Sequence, residues 1–492
     1  MGAAMQGEGQ ELFTPGFNGS IRVESRKERL TSNAGALVLR ELIERLGIIA
    51  HLVERLDDPR SPELITHPLG EMLRTWIVLL ALGWRDQDDA DALRDDAALR
   101  LAASDRRGDR PLQTRTPEQR ESNHNPAEPD GLASQPTRSR LARTLSTAAN
   151  RQALRDGLFE VAARRYTTTR GGGRSRYLTI DVDSLPVRVE GHQPGSEYNG
   201  HYHARIYHPL VATLGEAGDL LDVQLREGTS HTAAGALGFI LPLIDRVEAR
   251  ICQVASVRVD AGFPEEELLG GLETRRVGYV ARVRNNARLD ALAEPLLRRP
   301  AGRRPKEPRE WFHEMTYAAE SWSRERRVVL VVQERPDELY LHHFWLITSW
   351  TTEQMTGEQL LDLYRVRGTA EGYMGELMNV LDPALSSSPR QKANYRGAPI
   401  SRNYPSGDSF AINEVLLLLN AIAYNVMHAA RVMVERETGE GCSIKRLRER
   451  VLRVAARVIT HARTVVVVIE QAAADMWRRL WNQLVAFRVA DA

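Results

Sequence analysis

The chain is short of several things, and each shortage excludes something. It has two cysteines, Cys252 and Cys442, in 492 residues. That is too few for a disulfide framework or a four-thiolate zinc site, and it suits a reducing compartment, so a cytoplasmic location is expected. Lysine occurs only as Lys27, Lys306, Lys392 and Lys445, which leaves 62 of the 66 basic residues as arginine. Arginine's planar fork suits phosphates and base edges. Neither sign of charge is in excess: 66 basic against 65 acidic residues give +1. A globally acidic chain is thereby excluded, and any nucleic-acid contact must come from local clusters. No apolar run reaches the ~18 residues of a membrane span, and residues 1–10 hold no apolar signal region, so a soluble, non-exported protein with no membrane partner is expected. No solenoid repeat is present. At roughly 150 residues per domain the length allows about three domains and a large buried core, which excludes a small stapled scaffold.

Periodicity divides the chain. Ser32 or Asn33 is placed to cap a helix whose Leu39, Leu42, Ile43 and Leu46 share a face, and Leu69, Met72, Leu73, Trp76 and Leu80 form a second stripe. Asp88, Asp89, Asp91, Asp95 and Asp96 crowd together without the glycine and glutamate of a calcium loop, so they read as helix-surface charge. Between Ser104 and Asp130 the chain is charged and holds Pro111, Pro117, Pro126 and Pro129, the composition of a disordered linker. Helices follow through Leu141, Leu145, Leu154, Leu158 and Val161 to a glycine run at Gly171–Gly173. The period then changes to two: Leu178, Ile180 and Val182 face one way, and Thr179, Asp181 and Asp183 the other. Further strands are predicted at 210–214, 221–225 and 257–260, with a helix from about 233 to 247. Pro264 followed by three glutamates marks another helix start. Strands are predicted at 277–283, 328–332 and 344–348, with a basic loop at 298–309, and helices dominate after Thr351.

Three acids stand where a divalent-cation site could form: Asp183 or Asp181 on one strand, Asp260 at the end of another, and Glu371 on a later helix. Hard cations such as Mg²⁺ take a few carboxylate oxygens and leave positions for water and phosphate, and two such ions suit phosphodiester displacement. Tyr364, Arg367 and Glu371, at i, i+3 and i+7, fall on one helix face. An aromatic, a guanidinium and a carboxylate in line make a poor core stripe but a good surface for a nucleic-acid backbone.

That run, within YRVRGTAEGYMGELM, resembles the Tyr-x2-Arg-x3-Glu signature of bacterial insertion-sequence transposases of the DDE class, and in particular their "thirteen-eighty" group. Other blocks resemble the same group in one order from about Leu30 to Arg463: LTSNAGALVLRELIERLG, GWRDQDDADALRDDAALRLAA, LASQPTRSRL, YLTIDVDSLP, YNGHYHARIYHPL with LREGTSHTAAGA, VRVDAGFPEEEL and LLLLNAIAYNVMHAARV. The resemblance implies an α/β fold with an RNase H-like catalytic core. In that core a mixed sheet carries the first two acids and a following helix the third, with a β-rich insertion between the second and third. It also implies Asp183, Asp260 and Glu371 as catalytic and metal-holding residues, with Asp181 as the alternative first acid. The implied cofactor is Mg²⁺ or Mn²⁺, as two ions in the sense of a two-metal phosphodiester mechanism. Tyr364 and Arg367 are the implied DNA contacts, and the implied partners are double-stranded DNA, in terminal inverted repeats and target, and a second copy of the chain on DNA. One position departs from the signature: Met378 stands where a lysine is usual, so Arg390 or Lys392 would have to supply the basic contact.

The expected organisation is an N-terminal helical DNA-binding or dimerisation region at 1–103, a linker at 104–130 and a helical connector at 131–173. The first part of the core follows at 174–271, the β-rich insertion at 272–350, the second part of the core at 351–400, and a C-terminal helical basic region at 401–492. Within the last, Lys445, Arg446, Arg448, Arg450, Arg453, Arg457 and Arg463 face a single acid, Glu449, and the first four are expected DNA contacts. The apolar stripe from Ile412 to Val432 reads as core or dimer packing. His192, His201, His203 and His208 lie close together without a cysteine and read as part of a family block rather than a zinc site.

Overall fold

The computed structural model describes residues 10–487 apart from 14, 16, 19, 26–27, 62, 105–130, 169–176, 303–304, 386–408 and 462–463. The linker expected at 104–130, save Ser104, lies outside the described residues, as do Gly171–Gly173, Arg390, Lys392 and Arg463.

An eight-stranded mixed sheet organises the middle of the chain. Its strands are β1 (Tyr177–Ser184), β2 (Leu210–Leu214), β3 (Leu220–Gln224), β4 (Gln253–Val259), β5 (Gly278–Val283), β6 (Arg309–Tyr317), β7 (Arg326–Glu334) and β8 (His342–Thr348). They lie in the order β6-β7-β8-β5-β4-β1-β2-β3. β1, β4 and β5 are mutually parallel, and every other pairing is antiparallel. Parallel neighbours need crossovers, and helices supply them. The helices used below are α1 (Ala36–Arg45), α2 (Leu69–Leu82), α3 (Ala148–Thr168), α4 (Ala236–Arg250), α5 (Glu266–Thr274), α6 (Gly357–Arg365), α7 (Arg367–Glu376) and α8 (Ser409–Thr438). α4 carries the chain from β3 to β4, and α5 from β4 to β5. As the Pro-Glu-Glu-Glu run predicts, α5 begins just past Pro264, with Glu266 and Glu267 in its first turn.

Alternation along the strands sorts the two faces of the sheet. Leu178, Ile180, Val182, Val257, Val259, Tyr279 and Ala281 pack on one face with Phe239, Ile244 and Leu269 of α4 and α5. On the opposite face Val280, Val329, Val331 and Leu346 pack under Leu360 and Leu361 of α6. A helical core built from α1, α2, α3 and α8 adjoins the β3 edge. α8 is long and apolar enough to cross a bilayer, yet 89% of its most apolar window is buried in protein; it is a core helix. Its Asn425 accepts from the Leu220 N–H at 2.9 Å and donates to the Leu220 carbonyl at 2.8 Å. The backbone of edge strand β3 is thus satisfied by a helix side chain, one way of closing a sheet edge.

Within the interval 272–350, β5 lies parallel to β4, and β6 to β8 continue the same sheet. β6 begins where the basic loop was expected to end, its Trp311, His313, Met315 and Tyr317 alternating with its other side chains. The C-terminal region is not wholly helical, because Ala456–His461 and Thr464–Ile469 pair as a hairpin that adds to Arg29–Thr31; the β-branched run Val465–Val468 favours extended backbone. Neither Ser32 nor Asn33 caps α1, which follows Gly35 with no side-chain cap. Asn33 instead donates to Asp96 and accepts from Trp84. Asp96 itself caps the helix Ala97–Ala103, and Asp91 accepts from the Gln135 N–H, so members of the acidic cluster have structural roles.

Candidate active site

β1 and β4 are adjacent and parallel, with Val182 beside Val259. The next row therefore brings Asp183, at the end of β1, beside Asp260, just past the end of β4. The Asp260 carboxylate accepts the Gly262 N–H at 2.7 Å, which closes the turn after the strand. A Cβ at Gly262 would crowd both Asp260 and Thr232, so the turn is fitted to glycine.

Asp181 and Asp183 share a face but have different surroundings. Asp181 is buried and takes two hydrogen bonds, at 2.6 and 2.7 Å, from Arg258 of β4. Arg258 also donates to the Leu363 carbonyl at 2.9 Å, so this pair ties β1, β4 and α6 together. Asp183 instead pairs with Arg367. Its carboxylate accepts its neighbour Ser184's N–H at 2.8 Å and an Arg367 N–H at 2.6 Å. Burial pushes the Asp183 carboxyl up to about 6; Arg367 opposes the rise, and Asp260 and Glu371 add to it.

Glu371 is brought in by α7 and is about half exposed. The single predicted helix is two: α6 ends at Arg365, Val366 forms the junction and α7 starts at Arg367. A capping box from Thr356 and Gln359 starts α6. Tyr364 closes α6 against the apolar patch of that sheet face, and burial raises its pKa. Arg367 opens α7 and bridges the acids, pairing with Asp183 and, four residues on, with Glu371. Only 12% of its side chain is exposed. Asp260, Ala261, Arg282, Val283, Arg284, Asn285, Tyr364 and Arg367 line a cleft of about 300 Å³.

α7 is fixed from behind by residues that no sequence pattern singled out. Glu376 accepts from Arg431 of α8 at 2.6 Å and from the Ile444 N–H at 2.9 Å. Arg431 also stacks over Tyr373, 4.9 Å from the ring centroid. Gly218, at φ +76°, lets that ring lie against the β2–β3 turn, where a Cβ would collide with it. Tyr202 is another residue beside the acids: burial raises its pKa, and Asp183 and Asp260 add to the rise.

The remaining candidates are distributed as follows. Lys445, Arg446 and Arg450 are exposed. Arg448, an expected DNA contact, is half-buried and donates to the Ala81 and Val380 carbonyls, each at 3.0 Å. Burial and the neighbouring Arg453 lower its pKa to about 10. It ties the end of α2 to the segment after α7. Met378 lies in a π-helical turn, Leu377–Leu381, and packs on the core. His208 is buried with Nδ1 3.0 Å from the Ser230 carbonyl, whereas His192, His201 and His203 are exposed.

Among the described residues no three His, Cys, Asp or Glu side chains form a group that could hold a metal ion as arranged. The donor set nevertheless fits a hard cation: three carboxylates meet electrostatically at Asp183, whose ionisation is opposed by burial and by the other two. In this arrangement Arg367 supplies the positive charge between Asp183 and Glu371.

The family model described as transposase DDE domain group 1 matches residues 13–396. No curated protein matches. Among solved structures, a cryo-EM structure of a piggyBac transposase synaptic complex with hairpin DNA matches with 10% identity and a TM-score of 0.40, over 93% of this chain and 86% of that one. Since the family model spans most of the chain, the protein belongs to the transposase DDE domain group 1 family.

Proposed function

We propose that the protein is an insertion-sequence transposase of the Tyr-Arg-Glu signature branch. In this reading it binds the terminal inverted repeats of its element and carries out strand cleavage followed by strand transfer. The observation that carries the reading is the row of Asp183 and Asp260 at the ends of adjacent parallel strands, with Glu371 delivered to it by α7 through Arg367. A mixed sheet bearing two acids and a later helix bearing the third is the arrangement expected of an RNase H-like core, with β6 to β8 as the insertion.

Asp183, Asp260 and Glu371 would hold Mg²⁺ or Mn²⁺. When bound, such ions lower the pKa of an attacking oxygen and neutralise the leaving one. In cleavage, water attacks a phosphodiester at the element end and its proton passes to solvent, releasing a 3′-hydroxyl. In transfer that hydroxyl attacks a target phosphodiester; one P–O bond forms, another breaks, and the number of phosphodiesters is conserved. Tyr364 and Arg367 border the cleft in which the end would lie, and Lys445, Arg446 and Arg450 offer exposed charge for flanking backbone. Two ends must meet for transfer, so a homodimer on DNA, in the cytoplasm, completes the reading.

Labelled DNA ending in the repeat that flanks the gene, incubated with Mg²⁺ or EDTA beside an Asp260→Asn variant, tests this. Metal-dependent cutting at the repeat boundary, followed by joined product and lost in the variant, is expected. Nicks without joining would indicate a plain nuclease. Specific binding without cutting would indicate an inactive DNA-binding relative, the reading favoured by the packing of Met378 into the core.

A further inference from the structure

β5 carries two arginines to the same end of the sheet as the acids. Val259 lies beside both Val182 of β1 and Ala281 of β5. The next row across these three parallel strands is Asp183, Asp260, Arg282, on one face and at steps of about 4.8 Å. Arg284 follows two residues on, just past the last paired residue, where alternation returns it to the same face.

Among the described residues neither guanidinium is committed to a carboxylate. The neighbouring arginines are: Arg258 with Asp181, Arg367 with Asp183 and Glu371, Arg365 with Glu310. Among the described residues Arg282 and Arg284 have no ion-pair partner. Arg282 is instead held over the Phe344 ring, 4.7 Å from its centroid. Both arginines are exposed, and both line the cleft with Asp260, Asn285 and Tyr364. Two unpaired guanidiniums beside acids that are themselves crowded make a place for an anion that must lie along the carboxylates without being repelled by them.

We propose that Arg282 and Arg284 form a phosphate-binding edge of the active-site cleft, gripping the DNA backbone at the phosphates next to the one on which the acids act. One phosphate follows another every ~3.4 Å of axis along a strand, so arginines one β-strand away from Asp260 reach the neighbouring phosphates. The fork geometry of arginine gives such a grip direction as well as charge. This inference rests on the transposase reading.

The test is the salt dependence of binding, measured by fluorescence anisotropy with a duplex ending in the flanking repeat, in an Asp260→Asn background that keeps the DNA uncut. Each phosphate contact contributes about 0.9 to the slope of log affinity against log salt. Arg282→Gln/Arg284→Gln is therefore expected to reduce the slope by up to about 1.8, and Arg282→Lys/Arg284→Lys to restore most of it. Arg284→Gln alone, beyond the last paired residue of β5, is expected to remove about 0.9 and covers the case of a double variant that fails to fold. A parent that binds and variants with an unchanged slope would overturn this inference and leave the transposase reading standing. A parent that does not bind the repeat-ended duplex would overturn both.

Discussion

Replacing Asp183 by asparagine keeps the shape of the side chain and removes the charge. In the folded protein burial, reinforced by Asp260 and Glu371 and opposed by Arg367, raises this carboxyl from 3.8 to about 6. A carboxyl raised on folding favours the folded state when protonated. Its contribution is fully present below about pH 4 and is lost as pH rises through about 6. Above that, the ionised group weighs against folding by about 3 kcal/mol, at 1.36 kcal/mol for each factor of ten in the proton equilibrium. Asp183→Asn is therefore expected to be more stable than the parent by about 3 kcal/mol near pH 7.5, while losing cleavage activity. The advantage should shrink toward zero as pH falls to about 4. Urea unfolding of both proteins at a series of pH values, in EDTA, measures it as a shift in midpoint at constant slope. Mg²⁺ should narrow the gap from the parent's side, since a ligand that binds only the folded parent stabilises it alone. A difference that does not change with pH, or a variant less stable than the parent near neutrality, would refute the argument that burial, reinforced by the neighbouring carboxylates, opposes the ionisation of Asp183.

Four further outcomes are expected. Arg367→Gln removes the cation that bridges Asp183 and Glu371, and should destabilise the metal-free protein by about 1–3 kcal/mol; thermal melting with and without Mg²⁺ should show that deficit shrink when the ion is present. Arg448→Ala strips hydrogen bonds from the carbonyls of Ala81 and Val380 and should cost about 1–3 kcal/mol without altering DNA affinity. Arg446→Ala/Arg450→Ala should do the reverse, flattening the salt dependence of binding in gel-shift titrations at unchanged melting temperature. Asn425→Leu should free the backbone of edge strand β3 and lower stability by about 1–3 kcal/mol, read as faster hydrogen exchange at the Leu220 amide than elsewhere in the sheet.

Much of the framework was legible because its signals are local. The change of period at Leu178 revealed β1 and set Asp181 and Asp183 on its polar face; Pro264 and its glutamates announced α5; the ordered blocks around Asp260 and Glu371 pointed to the family now shown by the match over residues 13–396. Other features were not legible because they depend on partners far apart in the chain. Nothing near Asp181 in sequence says that Arg258, 77 positions away, will claim it, leaving Asp183 to pair with Arg367. Local charge density could not separate Arg448, drawn inward by two helix-end carbonyls, from the exposed Arg446 and Arg450. The addition of the 456–469 hairpin to Arg29–Thr31 was not legible because that pairing spans most of the chain.

By itself, then, the sequence determined which residue types recur, at what period, and in which ordered blocks, and hence most of the elements and the three candidate acids. The tertiary structure decided what each charge does. Backbone periodicity is set by neighbours within a few residues, whereas the state of an ionisable group depends on burial and on opposite charges within a few ångströms, whatever their distance along the chain. Asp181, Arg367 and Arg448 are spoken for by distant partners, while Arg282 and Arg284 stand at the cleft with no ion-pair partner among the described residues.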